Sequence, residues 1–202
     1  MHTYYKMAWF TVIGGYAQNK RENKALTLFK QMQEEIIQPN EITFTVVLSI
    51  YGHLGAFSIG REIHSQINKS GIEWSVNMKT SLLNMYIKCG YVDKACAIFD
   101  NIESRDIVSW NSIIRGYVQN KRAKKALTLF KKMQEERIQP NEITFTVVLS
   151  ICGHLRALSL GRKIHSQINK NGMEWSIHMK NSLLNMYINM EVLTKFTLYL
   201  II

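Results

Sequence analysis

The side chains in this sequence that are able to transfer protons, attack carbonyls or bind metals do not form a constellation. His64 and His165 sit between apolar helix positions and read as packed core residues, while His53 and His154 fall in turns. Cys89 and Cys96 lack the spacing of a zinc pair, and Cys152 stands where a nearly identical earlier segment has Tyr51. An odd total of 3 cysteines points away from a disulfide framework and towards a reducing compartment. The His-x-Glu and Cys-x-x-Cys signature of zinc-dependent nucleobase deaminases is absent. No enzymatic activity, metal or cofactor is therefore expected. What remains is recognition chemistry. The net charge of +10 and a pI near 9.5 point to a polyanionic partner, a nucleic acid or an acidic membrane surface.

The elements that position these residues come from a repeat. Lys24 to Ser49 reads KALTLFKQMQEEIIQPNEITFTVVLS, and Lys125 to Ser150 repeats it almost unchanged about 100 residues downstream. In the first unit, Trp9, Ile13 and Tyr16 recur at helical spacing, and Ala25, Leu28, Phe29 and Met32 form a second stripe. Two helices follow from that. Pro39 is expected to stop the second, and Asn40 to cap the next. Neither helix can bury its stripe alone, so each pair must stack on a neighbouring pair. The period divides the chain into 6–40, 41–75, a shorter 76–106, 107–141, 142–176 and a degenerate, truncated 177–202. In the second unit Gly52 to Gly55 makes the turn, and Ile59, Ile63 and Ile67 line the second helix. About fifty of the seventy positions aligned between 6–75 and 107–176 are identical, which reads as duplication of a three-unit block.

Other features narrow the class. A hydrophobic share of 47% is that of a folded protein. No apolar run approaches the roughly 18 residues of a membrane span, the segment 196–202 included, so no membrane partner is expected. The opening MHTYY has no charged leader before a hydrophobic segment, and no Arg-rich transit peptide is visible.

At this level of detail the chain resembles the pentatricopeptide repeat family. The residues that carry the resemblance are Trp at the fourth place of a unit, a following Gly-Tyr, Ala-Leu-x-Leu-Phe in the second helix and Pro-Asn at the end. The segments GREIHSQINKSG at Gly60 to Gly71, GRKIHSQINKNG at Gly161 to Gly172 and LLNMYIKCG at Leu82 to Gly90 resemble the long and short repeat kinds of the plant subclass that mixes standard, long and short units. In those terms 6–40 and 107–141 are standard, 41–75 and 142–176 long, and 76–106 and 177–202 short. The resemblance implies an all-α solenoid of stacked helix-turn-helix repeats, a right-handed superhelix like that of tetratricopeptide repeats. No C-terminal editing domain is seen in this sequence.

It also implies single-stranded RNA as the partner, in a mitochondrion or chloroplast, with one base read per repeat by its fifth and last residues. Editing or processing cofactors would be supplied by another protein, and the chain itself is expected to be a monomer. Carried over by position, Thr80 with Asp106 matches guanine, since a carboxylate accepts from the guanine N1–H and N2–H. Asn111 with Asn141 matches a pyrimidine, cytosine more than uracil, giving G followed by C or U. Phe10 with Asn40 lacks a hydrogen-bonding half and is left to stack. Thr45 with Ser75 and Thr146 with Ser176 complete the long units, and Asn181 has no partner in the degenerate last one. Second-place residues Met7, Asn77 and Val108 would sandwich bases, with core packing as the competing expectation for Met7 and Val108. Lys88 is a weak candidate for a phosphate contact.

Simpler readings accompany these. Asn40, Asp106 and Asn141 each precede a helix, so capping explains them equally. Polar residues such as Thr80 and Asn111 are common in a first turn. Lys121, Arg122, Lys124, Lys125, Lys131 and Lys132 lie in a turn and a second helix, the side expected to face away from bases, where they add attraction that fades with salt. Lys20 and Lys121 stand where the family usually has glycine. A protein-binding array of tetratricopeptide type and a truncated product of little function are the competing readings of the whole chain.

Overall fold

The computed structural model describes residues 2–189, with side chains from Met7 onward. Among the described residues the chain forms eleven helices and no strand. They fall into two compact units, Met1–Arg105 and Asp106–Ile202.

The first unit holds α1 (His2–Gln18), α2 (Glu22–Glu34), α3 (Glu41–His53), α4 (Phe57–Ser70), α5 (Val76–Lys88) and α6 (Val92–Asp100). Sequence neighbours form antiparallel hairpins, and α3 lies in the middle, packed on α1, α2, α4 and α5. Its position explains its composition. Phe44, Val47, Leu48, Ile50 and Tyr51 are all buried, so α3 has apolar residues on several faces, whereas α2 and α4 carry a narrow stripe of Ala25, Phe29 and Met32 or of Ile63 and Ile67. Each large apolar side chain so buried contributes about 1.5–3 kcal/mol.

The second unit repeats this plan with α7 (Ile107–Gln119), α8 (Ala123–Glu135), α9 (Glu142–His154), α10 (Leu158–Lys170) and α11 (Ile177–Asn189). Here α9 is central, against α7, α8, α10 and α11. Phe145, Val148, Leu149 and Cys152 fill its core, with Phe130, Ile164 and Met186 from the neighbours.

Several local details differ from the sequence expectation. Pro39 does not end α2; the helix stops at Glu34, Ile36 turns to a left-handed φ of 58°, and the Ile37 N–H donates to the Met32 carbonyl at 3.0 Å. That is the helix-ending pattern in which the residue past the left-handed one reaches back across the last turn. Gly52 lies inside α3, not in the turn, because the helix runs on to His53. A Cβ at Gly52 would stand 3.0 Å from the Met85 Cα, so this glycine allows α3 and α5 to approach closely. Gly55, at φ 64°, makes the turn. Ile59 is 39% exposed, and Gly60 takes the buried place beside Ile63 and Ile67. The segment 196–202 lies outside the described residues.

Candidate nucleic-acid interface

The five residues expected at the ends of repeats, Asn40, Ser75, Asp106, Asn141 and Ser176, each accept a hydrogen bond from a backbone N–H in the first turn of the helix that follows. Asn40 Oδ1 accepts from the Thr43 N–H at 2.9 Å, Ser75 Oγ from Met78 at 3.1 Å, Asp106 Oδ1 from Ser109 at 2.8 Å, Asn141 Oδ1 from Thr144 at 3.1 Å and Ser176 Oγ from Met179 at 3.2 Å. The backbones of Asn40, Ser75, Asp106 and Asn141 are extended, as a residue entering a helix requires. Capping is thus real. It uses one acceptor of each side chain and leaves the amide N–H groups of Asn40 and Asn141 outside the cap bond.

The second unit joins a fifth-place residue to a last-place one. Asn111 Nδ2 on α7 donates to Asn141 Oδ1 at 3.1 Å, although the two are 30 residues apart in sequence. Thr144, one turn into α9, donates through Oγ1 to Asn111 Oδ1 at 2.7 Å, and its Oγ1 accepts from the Asn141 backbone N–H at 3.2 Å. In the first unit Phe10 occupies the corresponding place on α1. Thr43 Oγ1 there donates to Asn40 Oδ1 at 2.9 Å. Thr43 and Thr144, each 1% exposed, were not visible as site residues in the sequence, where a threonine inside EITFT reads as core.

Beside these polar residues stand apolar ones that the core does not use. Met7 is 60% exposed, Ile42 58%, Val108 56% and Ile143 47%, each one residue into its repeat from the start. Core packing is therefore excluded for Met7 and Val108. Ile42 and Ile143 escaped notice because EITFTVVLS is apolar almost throughout and shows no stripe. Asn77, at the same place in the shorter repeat, is exposed too.

The other candidates are distributed as follows. Phe10, Thr45, Thr80, Ser75, Thr146 and Ser176 are partly exposed, and Asp106 and Asn181 are exposed. Ser75 Oγ also donates to the Glu41 carboxylate, which ties the start of α5 to that of α3. Thr146 Oγ1 donates to the Glu142 carbonyl one turn back at 2.8 Å, whereas Thr45 Oγ1 is enclosed without a hydrogen-bond partner. Thr80 belongs to the first unit and Asp106 opens the second. Lys88 ends α5; partial burial lowers its pKa, against the opposing pull of the Glu22 carboxylate. The basic side chains from Lys121 to Lys132 are exposed on the α7–α8 turn and on α8, and Lys125 Nζ lies 5.8 Å from the centre of the Tyr117 ring.

His64 and His165 serve packing, whereas His53 and His154 are the last residues of α3 and α9, not turn residues, and His53 Nδ1 stands 3.2 Å from Glu22 Oε1. His64 Nδ1 lies 3.0 Å from Tyr86 Oη with the Trp74 ring edge-on at 5.5 Å, and His165 repeats this with Tyr187 at 3.2 Å and Trp175 at 5.2 Å. Both are half-buried between a second helix and the next first helix, not in the deep core as expected. Burial lowers both pKa values, with Lys94 adding to the effect at His64. Among the described residues no group of three or more His, Cys, Asp or Glu could hold a metal ion.

Family models described as the PPR repeat family and the PPR repeat match residues 7–53 and 105–154, and 78–107, respectively. The chain belongs to the PPR repeat family. Similar Arabidopsis thaliana PPR proteins include a chloroplastic one, 38% identical over 90% of this chain and 22% of its own length, and a mitochondrial one, 38% identical over 90% and 26%. The chain thus spans about a quarter or less of these PPR relatives. Among solved structures, the PPR protein PPR10 from maize superposes with a TM-score of 0.80 at 21% identity, covering 90% of this chain and 26% of that one. PPR10 in complex with an 18-nt psaJ RNA element gives the same score. The PPR domain of Arabidopsis thaliana protein-only RNase P 1, in complex with tRNA, gives 0.72 at 13% identity over 88% of this chain and 96% of that one. The all-α fold of paired helices is therefore that of PPR repeats.

Proposed function

We propose that this chain is a non-enzymatic single-stranded RNA-binding module that takes one base per repeat, within an organellar RNA processing or editing factor of the subclass that mixes standard, long and short repeats. The observation that carries this reading is the hydrogen bond between Asn111 Nδ2 and Asn141 Oδ1. It joins a fifth-place and a last-place residue beside the exposed Val108 and Ile143. Side chains that only capped a helix would need no such partner, and apolar residues left open beside amides suit the faces and edges of splayed-out bases. The RNA-bound structures of PPR10 and of the RNase P domain support RNA as the partner, and the chloroplastic and mitochondrial relatives support an organelle as its location. The unit boundaries at residues 40, 75, 106, 141 and 176, and a monomeric state, belong to the same proposal.

In this reading Thr80 with Asp106 selects guanine and Asn111 with Asn141 selects cytosine more than uracil at the following nucleotide. Phe10 stacks beside Asn40, the long-repeat pairs Thr45 with Ser75 and Thr146 with Ser176 discriminate weakly, Asn181 stands alone, and Lys88 meets a phosphate. The test is a binding panel of single-stranded RNAs carrying GC, GU, AC and AU at the adjacent positions, with a salt titration to separate charge-driven from base-specific affinity. GC should bind best. An unchanged base preference in Thr80→Asn with Asp106→Asn would refute the assignment.

A further inference from the structure

We propose that Thr144 is a positioning residue that sets which hydrogen-bonding groups Asn111 and Asn141 present to the RNA base. This rests on the base-reading function above and adds to it a third residue that touches no base.

The argument is an accounting of protons. The backbone N–H of Thr144 can only donate, so at 3.1 Å it fixes the oxygen of Asn141 on its side of the amide. With that oxygen fixed, the Asn111 atom 3.1 Å away must be a donor, Nδ2. The Asn111 carbonyl oxygen then faces Thr144 Oγ1 at 2.7 Å. A hydroxyl has one hydrogen, and Thr144 has two acceptors in reach, this oxygen and Asn141 Oδ1 at 3.0 Å. The shorter contact is to Asn111. The Asn141 oxygen already holds the Thr144 and Asn111 N–H groups, whereas the hydroxyl reinforces the sense of Asn111 by donating to its Oδ1. The pair is thereby set to offer a carbonyl lone pair from Asn111 and the NH2 of Asn141. An acceptor beside a donor matches the N4–H and N3 of cytosine.

Without the Thr144 hydroxyl, Asn111 Oδ1 loses its donor, and only the bond from Asn111 Nδ2 to Asn141 Oδ1 still holds the sense of the amide, so exchanging donor for acceptor costs less. The first unit provides the built-in comparison. Phe10 replaces the asparagine, so the Thr43 hydroxyl goes to Asn40 and has only a capping role.

The experiment measures relative affinity of the full chain for RNAs with C, U, A or G at the nucleotide matched to the 107–141 repeat. The unmodified chain should prefer cytosine over a purine by roughly tenfold. Thr144→Val should reduce this ratio by at least about threefold, the effect of one lost hydrogen bond. Thr144→Ser should restore it, and Thr43→Val should leave preference at the 6–40 repeat unchanged. Melting monitored by circular dichroism checks folding; if Thr144→Val does not fold, Thr144→Cys, with a poor thiol donor, takes its place. An unchanged ratio in a folded hydroxyl-less variant overturns the positioning role and leaves base reading intact. Equal changes from Thr43→Val and Thr144→Val at their own repeats would reduce both threonines to caps. No preference in the unmodified chain overturns base reading itself.

Discussion

Replacing Gly52 by alanine tests the packing that holds the first helices together. A Cβ at this position would lie 3.0 Å from the Met85 Cα and 3.6 Å from the Met85 Cβ. The nearer atom is backbone, so no rotamer change relieves the contact, and α3 must move away from α5 by about 0.4 Å to reach ordinary van der Waals distance. Met85 is fully buried, and the movement loosens contacts along the whole helix pair. Overpacking of this kind costs about 1–3 kcal/mol, and the better helix propensity of alanine offsets about 0.8–1.0 of it. Net destabilisation of about 0–2 kcal/mol is expected. The comparison is Gly14→Ala in α1, where a Cβ meets nothing within 4 Å and propensity alone acts, a gain of about 0.5–1 kcal/mol. The propensity gain is common to both variants, so urea unfolding followed by circular dichroism should place Gly52→Ala about 1–3 kcal/mol below Gly14→Ala. In the second unit Gly153, whose Cβ would stand 3.1 Å from the Met186 Cα, should behave like Gly52. If Gly52→Ala and Gly14→Ala stabilise equally, the close approach of α3 and α5 is wrong.

Two further outcomes follow from backbone and burial. Lys20 and Lys121 hold left-handed φ values of 57° and 59° in their turns, so Lys20→Gly and Lys121→Gly should each raise stability by about 0.5–1 kcal/mol in the same unfolding assay, the relief of the left-handed penalty less the greater chain entropy of glycine. Because burial lowers the folded pKa of His64 and His165, the unfolded chain binds more protons than the folded one between the folded value and the ordinary 6.5. Their contribution to stability is whole above 6.5 and falls as the pH drops from there through the folded values, so thermal midpoints should decline between pH 7.5 and 5.5, and less steeply in a His64→Gln, His165→Gln double variant.

The fold was legible because duplication supplies a register that a single helical stripe does not. Once Lys24 to Ser49 is aligned with Lys125 to Ser150, every helix pair has its place. The end of α2 was misplaced at Pro39 because the real stop is Ile36, a β-branched residue in a left-handed conformation, which no propensity rule selects. The 13-residue α3 and α9 hid their open side for the opposite reason. In EITFTVVLS the apolar residues go round the helix, and only the neighbours of α3 and α9 decide that Ile42 and Ile143 are left exposed while Phe44 and Phe145 are covered.

The candidate site was half legible, and the missing half is instructive. Asn111 and Asn141 could be paired by position, but their hydrogen-bonding sense depends on a threonine in the next helix that is identical in both copies. Thr43 and Thr144 are the same residue, equally buried, at the same distance from the same capping asparagine in sequence. Yet one donates to its cap and the other has an asparagine amide in reach at 2.7 Å, and the difference is made by Phe10 against Asn111. The core partners Phe29 and Phe130, Met32 and Met133, Phe44 and Phe145, Ile63 and Ile164 are unchanged between the copies. Two nearly identical backbones and cores thus support two different sets of outward hydrogen-bonding groups. The exchange of Phe10 for Asn111 therefore does more than replace one side chain. It also changes the acceptors that a buried hydroxyl one turn into the next helix has in reach, from the cap alone at Thr43 to the cap and an asparagine amide at Thr144.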